Sequence, residues 1–209
     1  MNRLKTFLAA ALLCVASTAF ASPWQGFTAL ALSPDGQSFA TGGREGEILW
    51  WETSTGELLG RWTQPGGYPV VGLAFNSDST RLGIVLLDGT LVQADSPNGE
   101  LAPLPSTGSD WKNLALAKEQ WITSGPLVKG LATASGDLWA KATPDGKITT
   151  GRQSNGVTLA TWVAHEAAVT GLALASDGSF LLSCSYDGGL CRWDPATGRL
   201  LGALQSPLH

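Results

Sequence analysis

His165, Ser183 and Asp187 are the residue types of a hydrolytic triad: a hydroxyl nucleophile, an imidazole base and a carboxylate to orient it. Cys184 and Cys191 lie close by and flank Tyr186-Asp187-Gly188-Gly189, which has the composition of a tight turn. A symmetric hairpin there would set the two cysteines opposite one another, about 4.5–5.5 Å apart at Cα and within disulfide reach. Two small buried cysteines are the alternative. A redox-active pair is disfavoured, because nothing basic adjoins Cys184, although Arg192 follows Cys191. Asp35, Asp88, Asp145, Asp177 and Asp187 each precede a glycine and could suggest calcium. They lack the alternating acidic ligands of a calcium loop, and turn chemistry accounts for each. No tight cluster of histidine and cysteine is present, and His209 is terminal, so no metal site is expected.

The start of the chain bears on these thiols. Arg3 and Lys5 precede an apolar run from Phe7 to Ala16, and Ala19-Phe20-Ala21 fits the small-x-small rule for signal peptidase. Residues 1–21 are therefore expected to be a signal peptide, cleaved before Ser22. The run is too short to span a bilayer, which needs about 20 apolar residues. Leu13 is too bulky for a lipoprotein site at Cys14. No later segment is apolar enough to cross. The expected location is the periplasm or the exterior of a bacterial cell. Cleavage leaves Cys184 and Cys191 in an oxidising compartment, where a disulfide between them is expected. Cleavage also takes two positive charges from a chain whose formal net charge is already −4. An acidic surface with no Lys/Arg cluster argues against nucleic acid.

The elements that must position these residues come from repetition. With Phe27 to Gly60 as template, a shift of 43 carries Leu30, Leu32, Asp35, Gly46, Gly56 and Leu58 onto Leu73, Phe75, Asp78, Gly89, Gly99 and Leu101. A shift of 142 carries them onto Leu172, Leu174, Asp177, Gly188, Gly198 and Leu200. Each unit alternates short apolar strands with turns: Thr28 to Leu32, then Ser33-Pro34-Asp35-Gly36; a strand ending in Thr41-Gly42-Gly43, then Glu45-Gly46; Ile48 to Trp51, then Thr55-Gly56; and Glu57 to Trp62. Adjacent Trp50 and Trp51 must point to opposite faces of their strand. Four short antiparallel strands in about 43 residues make one propeller blade. The interval 107–163 is irregular: Trp139, Gly146, Ile148, Gly156 and Trp162 answer the template at a shift of 100, but Leu114 and Leu116 answer at 84. The difference implies about 16 inserted residues near 125–140, or else two truncated blades. The predicted fold is all-β, a propeller of four blades (five on the second reading), with repeats at about 27–64, 70–106, 111–163 and 169–206 of a single domain, 22–209.

The last repeat resembles the WD40 family. It carries His165, Val169-Thr170, Ser176-Asp177-Gly178, Leu182-Ser183-Cys184-Ser185, Tyr186-Asp187-Gly188, then Cys191-Arg192-Trp193-Asp194 and Thr197-Gly198, with Trp193-Asp194 as the dipeptide that names the family. The first repeat has Trp51-Glu52, a near miss, and the second has Ala94-Asp95. The resemblance covers about residues 24–206. It implies that His165, Ser183, Asp187 and Trp193 form a buried structural network rather than a catalytic triad. The Gly56–Trp62 and Gly156–Trp162 pairs are faintly similar to quinoprotein propellers, but the interval is longer and no adjacent-cysteine pair is present, so no cofactor is expected.

With no convergent acid, base, nucleophile or metal set, the expectation is a non-catalytic protein-interaction or scaffold module of the bacterial cell envelope. The second reading is a cofactor- or small-molecule-associated propeller, an accessory factor to an exported redox enzyme. Four blades close only with strong curvature, and an open stack would leave two apolar end faces. A homodimer or a stable hetero-complex is expected to cover them.

Overall fold

The computed structural model describes residues 26–104 and 132–205. They form four four-stranded antiparallel sheets, each a simple meander. Blade 1 is β1 (Phe27–Leu32), β2 (Ser38–Gly43), β3 (Glu47–Glu52) and β4 (Leu58–Thr63). Blade 2 is β5 (Val70–Phe75), β6 (Leu82–Leu86), β7 (Leu91–Ala94) and β8 (Leu101–Pro103). Blade 3 is β9 (Ala132–Ser135), β10 (Leu138–Ala142), β11 (Lys147–Arg152) and β12 (Thr158–Val163). Blade 4 is β13 (Val169–Leu174), β14 (Leu181–Ser185), β15 (Gly189–Trp193) and β16 (Leu200–Gln205).

Blade 3 departs from the expectation. β9 and the start of β10 fall in the second half of the stretch assigned to an insertion, and Ser135 pairs directly with Leu138 across a two-residue hairpin, Gly136-Asp137. The corresponding hairpin of blade 1 spans five residues between Leu32 and Ser38. Gly136 takes a φ of 56°, which so tight a turn requires. The shorter hairpin shifts the register of the first strand, so a fixed offset from the template misplaces it. Leu114 and Leu116 lie outside the described residues.

The blades pack face to face in the order 3–4–1–2. β1 packs on both β13 and β5, while β9 and β10 pack on β13. Three apolar clusters fill these junctions. Ala40, Ile48 and Trp50 of blade 1 meet Leu82, Ile84 and Val92 of blade 2. Phe39, Leu49 and Trp51 meet Phe180, Leu182 and Leu190 of blade 4. Ala140 and Ile148 of blade 3 meet Leu181, Cys191 and Trp193. Trp50 and Trp51 thus fill two different junctions, as their alternation demands.

Hydrogen bonds stitch the junctions as well. The β1–β2 and β13–β14 registers skip Thr28 and Thr170, which sit in β-bulges. Each bulged hydroxyl donates to the next blade: Thr28 Oγ1 to the Val70 carbonyl at 2.6 Å, and Thr170 Oγ1 to the Phe27 carbonyl at 2.6 Å. Toward the outside, Trp62 Nε1 donates to the Gly99 carbonyl at 2.8 Å. Trp162 lies against Gly198, where a Cβ would come within 2.6 Å of its ring.

The outward face of blade 3 mixes polar and apolar side chains, with Trp139 half-buried and Val163 exposed on it. Lys141 and Thr161 are exposed there, with the Lys141 ammonium 5.1 Å from the Trp139 ring centre and Thr149 hydrogen-bonded to Thr161 at 3.1 Å. On the far side of blade 2, Ala74, Val85 and Leu104 form a small buried cluster.

Candidate functional site

The four residues His165, Ser183, Asp187 and Trp193 converge in blade 4. Ser183 sits on β14 and Trp193 on β15, while His165 lies in the link from β12 to β13 and Asp187 in the β14–β15 turn. Trp193 Nε1 donates to Ser183 Oγ at 2.8 Å. Ser183 Oγ lies 2.7 Å from His165 Nε2. His165 Nδ1 lies 3.1 Å from the Asp187 carboxylate. One proton arrangement satisfies every atom: the indole N–H to Ser183, the Ser183 O–H to Nε2, and Nδ1–H to Asp187.

Burial decides what this chain of bonds can do. Ser183 has no exposed surface, His165 is 5% exposed and Trp193 7%. A nucleophile needs an open approach, and here the Ser183 oxygen already accepts from Trp193. The arrangement has the order of a triad without the access. What it does instead is tie two loops together. Asp187 accepts from the backbone N–H of Glu166 at 3.0 Å and of Gly189 at 2.7 Å. Burial works to raise the Asp187 pKa, but hydrogen bonds from His165, Gly189 and Glu166 outweigh it and hold the carboxyl below its ordinary value.

The expected Cys184–Cys191 disulfide is not formed; both cysteines are buried thiols. The register gives the reason: Cys184 pairs with Leu190, and Ser183 pairs with Cys191. A shift of one residue turns a side chain to the other face of a sheet. Cys184 accordingly packs in the junction with blade 1 and Cys191 in the junction with blade 3. Burial pushes the Cys184 thiol up to about 12, and its sulfur lies 3.4 Å from Thr170 Oγ1.

Blade 1 keeps half of the network. Trp51 Nε1 donates to Thr41 Oγ1 at 3.1 Å. Thr41 and Trp51 precede Ser183 and Trp193 by 142 residues, the repeat offset itself. That offset was the signal available for finding them. Blade 2 has apolar Ile84 and Ala94 at the corresponding places, and blade 3 has Lys141 and Gly151.

Among the described residues no group of three His, Cys, Asp or Glu could hold a metal ion, and no helix is long and apolar enough to cross a membrane. An open groove of about 850 Å³ runs along the outer rim between β4 and β8, lined by Arg61, Trp62, Pro97, Glu100, Leu101 and Pro103. The two tryptophans weighed for a quinone serve packing: Trp62 Nε1 donates to the Gly99 carbonyl, and Trp162 covers Gly198.

The family described as WD domain, G-beta repeat matches residues 14–52 and 156–194. The chain is similar to the Periodic tryptophan protein 2 homolog of Schizosaccharomyces pombe, 30% identical over 189 residues, which is 86% of this chain and 22% of that protein. It spans under a quarter of the length of that relative. Solved structures similar to it include the beta-propeller domain of Myceliophteria thermophila Cps50 (Swd1), at 17% identity over 88% of this chain and 60% of that one, with a TM-score of 0.34. The computationally designed Ika4 protein is 21% identical over 81% of this chain and 91% of its own, with a TM-score of 0.34.

Proposed function

Because this chain is a WD40-repeat propeller, we propose that it works as a non-catalytic protein-interaction scaffold. One observation carries the reading: the His165–Ser183–Asp187 constellation, which has the makings of catalysis, is sealed, with Ser183 fully buried and bonded on both sides. Its bonds fix the loops of blade 4 in place. Rigid loops on a stable sheet framework are how a propeller presents a binding surface.

The proposal extends to place and company. Residues 1–21 support export to the bacterial envelope, periplasmic or outside, and the intact mass of exported protein beginning at Ser22 tests this. A mass retaining those residues overturns it. Cross-linking in intact envelopes, read by mass spectrometry, tests the scaffold role. A defined partner protein cross-linked to the loops is the expected result; turnover by the purified protein, with no partner captured, overturns it. A homodimer or stable hetero-complex is part of the same reading. Light scattering coupled to size exclusion checks it, and a monomer at high concentration that ignores added partner removes it.

A further inference from the structure

The turns and links at one end of blades 4, 1 and 2 form a continuous surface. The Arg44 guanidinium lies 5.2 Å from the Tyr186 ring centre, joining blade 1 to blade 4. The Gln64 N–H donates to the Gly46 carbonyl at 3.0 Å, and a Cβ on Gly46 would sit 3.1 Å from the Tyr68 carbonyl. The Leu87 N–H donates to the Pro69 carbonyl at 2.9 Å, carrying the surface onto blade 2. Tyr68 is 46% exposed here and Leu87 47%. Among the described residues the other exposed large apolar side chains lie on outer strands or beside one: Leu59 on β4, Val157 and Val163 at β12, Leu200 and Leu201 on β16.

Charge gives this end a sign. The described turns and links at this end, with the first residues of β3 and β11, carry the carboxylates Glu45, Glu47, Asp88, Asp145, Glu166 and Asp187 against the cations Arg44 and Lys147, of which Asp145 and Lys147 lie on blade 3. Lys147 is paired to Asp145 at 2.6 Å, and Arg44 is held over Tyr186. Glu45 and Asp88, nearest the apolar pair in sequence and fold, are exposed.

The structure assigns this end to docking a basic, extended segment of a partner protein, with an aromatic or aliphatic anchor against Tyr68 and Leu87 and its Lys or Arg side chains facing Glu45 and Asp88. The assignment rests on the scaffold reading and names the chemistry of the partner. Apolar anchors give affinity, while complementary charge gives orientation and rejects acidic competitors.

Random twelve-residue peptides displayed on phage, selected on the full-length protein and re-measured as labelled synthetic peptides by fluorescence anisotropy, test it. The expected winners carry net positive charge and a Leu, Phe, Tyr or Trp. Their binding should weaken about tenfold or more in Tyr68→Ala with Leu87→Ala, and comparably in Glu45→Lys with Asp88→Lys. It should also fall as salt rises. All four positions are exposed or half-buried surface, and melting curves of Glu45→Gln with Asp88→Asn keep a folded control in hand. Neutral or acidic winners overturn the assignment. So do basic winners that ignore both double variants; loss of their binding in Arg61→Glu would move docking to the outer groove and leave the scaffold reading standing. A selection that enriches nothing overturns both.

Discussion

At the scale of the residue, Ser183 shows how the same atoms can be read as chemistry or as structure. Its hydroxyl is within hydrogen-bond distance of a histidine that contacts an aspartate, at 2.7 Å and 3.1 Å, yet solvent never reaches it. Trp193→Ala removes a core aromatic and leaves the Ser183 lone pair unpaired, so it should cost about 3–5 kcal/mol in denaturant titration. Trp193→Phe keeps most of the ring and loses only the N–H; about 1–2 kcal/mol is expected. An equal loss in both would mean that the indole N–H contributes most of the effect. Asp187 adds a pH dependence. Its folded pKa lies below its unfolded one, so its stabilisation is fully present above the unfolded value of about 3.9 and is lost as pH falls through the lower folded value. Asp187→Asn should therefore flatten the acid limb of a stability–pH curve between pH 5 and 2. The cysteines supply a third check. Thiol titration of protein unfolded without reductant should count Cys184 and Cys191 as reactive thiols, and native protein should react far more slowly, because both are buried.

At the scale of the element, the sequence pattern reveals strands better than registers. Fixed offsets located blades 1, 2 and 4 because their apolar alternation and turn glycines recur without gaps, and each recurrence is a face packed against a neighbour. The first strand of blade 3 escaped the offset, since its hairpin is shorter. Register at the β14–β15 turn was equally hidden: a one-residue difference in pairing, set by turn geometry, separates Cys184 from Cys191 by a full sheet thickness. The bulges were hidden too, although their residue was visible. Thr28 and Thr170 share the repeat position, but only the skipped register turns their hydroxyls toward the next blade. Blade 2 has Val71 there and carries no such donor. Thr28→Val should cost about 1 kcal/mol by removing the bond to Val70, and Thr170→Val about the same. The Thr170 acceptor, the Phe27 carbonyl, belongs to the peptide unit that ends at Thr28, so the two bonds meet at one bulge and the double variant should depart from the sum. Additivity in chemical denaturation would show that the junctions do not communicate.

At the scale of the whole molecule, the order 3–4–1–2 places the continuous part of the arc across the two ends of the described chain, with residues 105–131 between the outermost blades in sequence. Blade 4 meets blade 1 as blade 1 meets blade 2: a bulged threonine donates to a first-strand carbonyl at 2.6 Å in both. The outer contact repeats as well, since Leu204 covers Gly56 as Trp162 covers Gly198, with φ values of 72° and 71° at glycines a Cβ would crowd. Within the chain, such a junction is spanned by short links, residues 64–69 from β4 to β5 and 164–168 from β12 to β13. A link of about six residues should therefore join Gln205 to Phe27 without strain, because each link spans the same step between neighbouring blades. A circular permutant joined there and opened within 105–131 should fold to the same all-β circular dichroism spectrum. Its melting temperature should equal or exceed that of the parent, since the joined junction loses less chain entropy on folding. A permutant that is unfolded or aggregated whether it is opened within 105–131 or at the 64–69 link, while the unjoined parent folds, would mean that blades 4 and 1 are not neighbours in solution.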